Sequence, residues 1–524
     1  MATEQSPLLS VGNDAIDPPD RIERHRVKFP LGLIAFLSLI VGFVLFVIFV
    51  PHNTQLTPNI FSHLKALNEI AKKSNNSRSI TNGYNASAEY IISNLINKTN
   101  CDVKLQYFKV PIWEKEKEAE LNVSFVSTDE MVVFQGGIDF WSEYFMQNLK
   151  FTDMLLCRCR FYKGMRDGGQ AASLVSQKIV EIQDPLDNKT EWNVQGNIVL
   201  IQFGNFSVWD VAYKAEQNKA SAVVFYNSPE QTKLSYVRVR IAEWKEGDPL
   251  MSIPVIAASN SLGRILKISS SVNITTYTKI FVTETFNILC YLNDHGDKEN
   301  TIILGAHLDS VPAGPGMVDN ASGSATLLEI LLILEKQQYK PKNRLAFAWW
   351  GAEEIGLGGS RHFVRKLVKS KDKKHIAMYL NFDMLGSPNY IPFILKGSDA
   401  PPDARNGSIK IQHMLADEFK KLNEPYDISS MLGGSDFLPF VQKGIPSGGL
   451  YTGSSEIKSS ESQQKFGGIA NVPLDPCYHQ ACDMLDNVNK DAIGLMSKVA
   501  LEVIVKFGSM KDLRKHLNKG VENI

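Results

Sequence analysis

Charge of one sign is not in excess in this chain: lysine plus arginine number 56, and aspartate plus glutamate number 56. The basic face expected of a nucleic-acid binder is not indicated, so nucleic acid is not an expected partner. Internal repeats are missing too, which excludes a solenoid or propeller. One long stretch lacks charge altogether. Phe29 to Val50 holds no Asp, Glu, Lys or Arg, and at about 1.5 Å per residue it is long enough to cross a bilayer as a helix. A small-x-small cleavage pattern is absent from its far end, and the 28 residues before it are long for a signal n-region. Residues 29–50 therefore read as an uncleaved signal anchor. Lysine and arginine are absent from Pro51 to Leu64, whereas Arg21, Arg24, Arg26 and Lys28 precede the apolar run. That asymmetry puts tail 1–28 in the cytosol and everything after Pro51 outside or in a lumen, as a single-pass type II protein.

What is present fits a folded, exported chain. Its 524 residues, 44% hydrophobic and 21% charged, suffice for more than one full-sized core. Glycosylation sequons fall at Asn75, Asn85, Asn97, Asn122, Asn188, Asn205, Asn273 and Asn406, all on the expected lumenal side. Another match, Asn320-Ala321-Ser322, lies inside a motif taken up below. Cys477 and Cys482 are close enough to form a disulfide in an oxidising compartment. Cys101, Cys157, Cys159 and Cys290 cannot be paired from sequence. On the cytosolic tail, "EQSPLL" (Glu4 to Leu9) has the acidic-dileucine form read by sorting adaptors, which points to a vacuolar or lysosomal membrane, with the plasma membrane as alternative.

Periodicity organises the remainder. Ile60, Leu64, Leu67 and Ile70 keep helical spacing, as do Tyr90, Ile91, Asn94 and Leu95, and Val103, Leu105 and Tyr107 alternate like a strand. Between about 126 and 280, "GNIVLIQFG", "SAVVFYN" and "SIPVIAAS" read as strands and "VWDVAYKAEQNKA" as a helix, a small α/β unit of its own. Beyond it strands alternate with helices: "NTIILGAH", a helix over Ser322 to Gln338, "RLAFAWWG", a helix from Gly359 to about Lys369, "HIAMYLNFD", "IPSGGLYTG" and a helix over Asp491 to Phe507. That alternation predicts an α/β fold with a mixed, largely parallel sheet covered by helices on both faces.

Three of these strands end in side chains able to hold a metal. "LGAHLDSV" ends in His307, with Asp309 two residues on; "AWWGAEE" ends in Glu353 and Glu354; "AMYLNFDM" ends in Asp383. "GPGMVDNASG" puts Asp319 in a glycine-rich loop before a helix, and "DPCYHQACD" presents His479 between two cysteines. Taken singly each has an ordinary explanation: Asp319 a helix cap, Asp309 and Asp383 turn formers, the glutamates a solvated loop, His479 packing beside a disulfide. Parallel strands, however, end on one sheet edge, where ligands bind in open α/β folds. Two histidines with several carboxylates suit zinc, in a number sufficient for two ions sharing a carboxylate. Such a pair, roughly 3.5–4 Å apart, activates a water and polarises a carbonyl. Neighbours on an extended chain point opposite ways, so one glutamate can bind metal while the other takes the proton.

These motifs, with "GGSDF" before the last of them, resemble the di-zinc aminopeptidases of the vacuolar aminopeptidase Y type over roughly residues 58–508. The segment around "GNIVLIQFG…KASAVVFYNS…IPVIAAS" resembles the protease-associated domain those enzymes carry as an insert. The resemblance implies a zinc exopeptidase-like fold in two parts, 58–125 and 281–510, around an insert over 126–280, with a tail over 511–524. It implies two zinc ions bridged by Asp319, with His307 and Asp383 completing one site and Glu354 and His479 the other. Glu353 would be the general base, Asp309 would orient His307, and Tyr478 would stabilise the tetrahedral intermediate. One departure stands out: Gly434 precedes Ser435-Asp436 where similar enzymes often have arginine, so substrate preference does not transfer. The expected activity is a lumenal zinc aminopeptidase acting on peptides with a free N-terminus. A glutamate-type metallocarboxypeptidase is the alternative, less similar in "DPCYHQACD" and normally extended by a helical domain where 35 residues follow Asn489. A catalytically inactive receptor-like protein is a third reading, opposed by the retention of all five ligands and the base.

Overall fold

The structure, a computed structural model, describes residues 55–125, 128–135, 165–167, 172–231, 241, 244–292 and 295–519. The expected cytosolic tail and anchor (1–50), the sorting motif Glu4–Leu9, Cys157 and Cys159 lie outside the described residues.

Helices α1 (Leu56–Lys73) and α2 (Tyr84–Lys98) lead into the long strand β1 (Asp102–Phe125). After the insert follow β2 (Ser271–Tyr291), β3 (Asp297–His307), α3 (Ser322–Lys336), β4 (Asn343–Trp350), α4 (Gly358–Ser370) and β5 (Ile376–Phe382). Then come β6 (Phe393–Leu395), α5 (Pro402–Lys421), β7 (Asp427–Ser429), α6 (Phe437–Gln442), β8 (Ser447–Tyr451) and α7 (Lys490–Ser509). Among the described residues the large sheet has ten strands, ordered β7-β6-β8-β5-β3-β4-β2-β1 and then Thr128–Gln135, with Ala172–Gln177 paired to β2.

The sheet is less parallel than the strand–helix alternation predicts. The centre, β8-β5-β3-β4, and the edge pair β6-β7 run parallel; β6 against β8, and β2, β1 and their neighbours, are antiparallel. The cause is the insert, whose two ends return side by side. β1 and β2 pair from Asp102↔Tyr291 to Ser124↔Ser271, a contact between segments far apart in sequence that local periodicity cannot reveal. A disulfide between Cys101 and Cys290 staples the base of this ribbon.

The central strands are apolar on both sides because both sides are covered. Ile302, Leu304, Phe347 and Trp349 face one core with α1, α3 and α7, while Ile303, Ala348 and Trp350 face a second with Phe363 and Phe440. Helix α3 is apolar nearly all round and buried accordingly. Among the described residues its segment alone is long and apolar enough to cross a membrane, and it lies in the core instead. Gly305 in β3 leaves room for the Trp350 indole N–H to reach the Tyr379 hydroxyl at 3.0 Å; a Cβ there would meet both groups.

Among the described residues the insert builds its own five-stranded sheet, ordered Met165–Asp167, Val255–Ala258, Ala222–Tyr226, Ile198–Gln202 and Ile179–Glu181. Ser207 and Ser259 cap the helices Val208–Gln217 and Asn260–Lys267 by accepting from first-turn amides. At the other end of the chain, the expected tail contains a helix, Leu513–Asn518. Its Leu513 and Leu517 are buried in the main core, so packing continues past residue 510.

Candidate metal centre and active site

Chain direction brings the expected residues together. β3 and β4 run parallel, pairing His307 with Trp350 at their ends, and β5 runs parallel on the other side of β3. His307, the last residue of β3, points its Nε2 to 3.1 Å from Asp319 Oδ1 and 3.2 Å from Asp383 Oδ1. His479 approaches from the far side. Its Nε2 lies 3.1 Å from Asp319 Oδ2 and 3.1 Å from Glu354 Oε2. The Asp319 carboxylate thus sits between the imidazoles, one oxygen toward each. Donor atoms of His307, Asp319 and Glu354 all fall within 4.8 Å of one another.

The donor set suits a metal better than it suits itself. Glu354 Oε1 is buried and has no hydrogen-bond partner, a costly arrangement for a carboxylate unless a cation completes it. Burial opposes charge on Asp319, yet His307 and His479 hold its carboxyl well below the usual range. Burial likewise opposes charge on His479, yet Asp319 and Glu354 hold that imidazole up to about 11. Protons stand where a divalent ion would balance the same carboxylates.

The two glutamates do not lie on an extended chain. β4 ends at Trp350, and Ala352 takes a left-handed φ of 61°. The chain then wraps back, with Gly356 N and Leu357 N donating to Glu353 O at 2.7 and 2.8 Å, and Gly359 N to Gly351 O at 2.9 Å. A Cβ at Gly359 would collide with the Asn287 side chain and Gly351, which accounts for the glycine-rich run after the glutamates. Glu353 and Glu354 therefore open a tight turn rather than continue a strand pleat. Their backbone N–H groups donate to Asp309 Oδ1 and Oδ2 at 3.1 and 3.2 Å.

Asp309 consequently departs from its expected placement. His307 Nδ1 meets the Asp309 main-chain carbonyl at 3.1 Å, while the carboxylate is 3.8 Å away and occupied by the glutamate turn. Burial pushes the Glu353 carboxyl well above the ordinary range, against the pull of His307 and with Asp436, Glu354 and Asp383 adding to the rise. Tyr478 stacks on His479 at 3.8 Å between ring centroids; burial, then the charges of Asp319, Glu354 and Glu353, keep its phenol protonated. The Cys477–Cys482 disulfide closes the loop holding both residues, and His479, 38% exposed, is the open side of the centre.

Other residues hold this arrangement without appearing among the sequence candidates. Ser435 Oγ donates to Asp383 Oδ2 at 2.6 Å and accepts from Asn381 Nδ2 at 2.8 Å; Asn381 Oδ1 accepts from the Tyr379 hydroxyl at 2.7 Å. With Trp350 at its head, this chain of donors has one possible direction and ends on the carboxylate. Asp483 accepts from Val318 N and Asp319 N at 2.9 and 3.1 Å. Its place in "CYHQACD" was its only sequence signal. Asn320 is fully buried, so the sequon it heads is inaccessible.

Known proteins resemble the chain in both parts. Residues 287–504 match peptidase family M28, and residues 169–266 match the PA domain. A "probable lipoprotein aminopeptidase" of Mycobacterium tuberculosis is 31% identical over 458 residues, covering 84% of this chain and 83% of the relative. An aminopeptidase of Pseudomonas aeruginosa is 38% identical over 309 residues, 58% of this chain; the match spans little more than half of that relative, 56%. Among solved structures, a zinc aminopeptidase from Bacillus subtilis superposes with a TM-score of 0.57 at 19% identity, covering 87% of this chain and 95% of the other, a likeness of fold.

Proposed function

The chain belongs to peptidase family M28, and from that premise we propose that it is a zinc aminopeptidase cleaving N-terminal residues from peptides. The observation that carries the reading is the Asp319 carboxylate set between two imidazoles, each also facing a second carboxylate. His307, Asp319 and Asp383 would hold one zinc ion, and Asp319, Glu354 and His479 the other. What such ions supply when bound is activation of a water and polarisation of the scissile carbonyl.

This chain's own groups do the rest. Glu353, its carboxyl raised by burial, accepts the water's proton and returns it to the departing amine. Tyr478 remains a phenol and donates to the developing oxyanion. Asp309 fixes the turn that presents the base, and the neighbouring carboxylates attract the substrate's free ammonium group. Residues 58–125 and 281–510 form the peptidase, with 126–280 as the protease-associated insert.

Location belongs to the same proposal. Phe29–Val50 anchors the chain with its catalytic part lumenal, in a vacuolar or lysosomal membrane reached through Glu4–Leu9. Glycans occupy the exposed sequons Asn75, Asn85, Asn97, Asn188, Asn205 and Asn406.

Hydrolysis of amino-acid anilides with free and with acetylated N-termini tests the activity. Cleavage of the free series alone, lost on chelation and restored by zinc, is expected. Equal cleavage of acetylated substrates, or none by zinc-loaded protein, rejects it.

A further inference from the structure

Between α1 and α2, outside the segment that matches the peptidase family, Arg78 is completely buried. All three of its guanidinium nitrogens donate to main-chain carbonyls. Nε reaches Pro315 O at 2.7 Å, Nη2 reaches Gly316 O at 2.7 Å, and Nη1 bonds Leu308 O. Leu308 follows His307, and Gly316 stands three residues before Asp319. One planar fork therefore ties together both ends of the loop that joins these two residues.

The backbone adds to the tie. Arg78 N donates to Ser310 Oγ at 3.0 Å, Ser310 N donates to Arg78 O at 3.4 Å, and Ser77 Oγ donates to Val311 O at 3.1 Å. Neutral carbonyls cannot cancel the buried charge. Burial lowers the guanidinium to about 10, while Asp309, Asp483, Asp319 and Glu354 pull the other way, so it stays a cation at neutral pH. Lysine could not replace it, because an ammonium is a point charge without a planar fork.

We propose that Arg78 is a positioning residue for the metal centre, holding the Leu308–Gly316 loop, and with it His307 and Asp319, in place before any ion binds. The inference rests on the reading of His307 and Asp319 as ligands. A residue far upstream is thus part of a centre whose ligands all lie between 307 and 479.

The test uses the full-length chain and its Arg78→Lys and Arg78→Met variants. Zinc affinity is measured by competition with a chromophoric chelator, and the cobalt-loaded absorption spectrum reports ligand geometry. Both variants should bind zinc more weakly by on the order of tenfold or more, with an altered cobalt spectrum and unchanged far-UV circular dichroism. Folded variants with wild-type affinity and spectrum, beside a wild type that binds zinc, overturn this inference alone. A wild type that binds no zinc overturns the metal reading and this inference with it. If neither variant folds, amide hydrogen exchange of the metal-free wild type decides. Protection of the Ser310 and Met317 amides supports the proposal, and protection appearing only on adding zinc overturns it.

Discussion

Replacing Asp309 by asparagine separates two contacts made by one residue. Its carboxylate receives the amides of Glu353 and Glu354, while its main-chain carbonyl meets His307 Nδ1. Asparagine keeps the carbonyl and one side-chain acceptor, and presents an NH2 group to the other glutamate amide. One hydrogen bond to a charged acceptor is lost, about 1.5–3 kcal/mol, and a buried N–H is left unpaired, about 1–3 kcal/mol. Burial opposes the native charge, which raises the Asp309 carboxyl, so neutralising it returns part of this. A net loss of about 3 kcal/mol is expected in chemical denaturation. The glutamate turn would relax, and a shift of about 1 Å in the base is worth roughly 100-fold in kcat. Zinc content should persist, since the contact orienting His307 is untouched. Assays of Asp309→Asn for anilide turnover, unfolding and bound zinc check all three. Unchanged kcat refutes the reasoning about the turn. Loss of zinc from a folded variant refutes it differently, by showing that the carboxylate 3.8 Å from Nδ1 orients the ligand.

Glu353→Gln should retain zinc and lose about 10²–10⁴-fold in kcat, the usual share of a general base; elemental analysis beside steady-state kinetics checks it. Zinc affinity should rise with pH. In the metal-free centre burial would lower His479, but Asp319 and Glu354 hold it up to about 11, so binding must displace a proton and acid must favour release. Calorimetry in buffers of different ionisation heat measures the protons released, and a pH-independent affinity would contradict the assignment. Replacing Cys477 and Cys482 by serine opens a loop with a sequence separation of 5, worth about 2 kcal/mol by loop-closure entropy. Thermal unfolding should show that loss, and zinc titration a weaker site at His479.

How much of this was legible depended on distance along the chain. Strand ends such as His307 and Asp383 announce themselves, because an apolar run followed by a ligand-type residue is a local signal. The Glu353-Glu354 pair was legible as a pair, but its geometry was not: the left-handed Ala352 carries no mark in its residue type. Arg78 was invisible, since an arginine among serines and asparagines reads as surface, and its acceptors lie on a loop beyond the insert. The pairing of β1 with β2 failed for the same reason, as did the Cys101–Cys290 bond.

The ribbon formed by β1 and β2 has a consequence for how such a chain is assembled. Its strands stay paired out to Ser124 and Ser271, with register shifts between Lys115 and Glu120, so the two arms of the ribbon still end at adjacent points. A short turn joining those residues would leave an ordinary β-hairpin on the sheet, stapled at its root. In that geometry the insert could be exchanged for a turn without rethreading the strands that carry His307, Glu354 and Asp383.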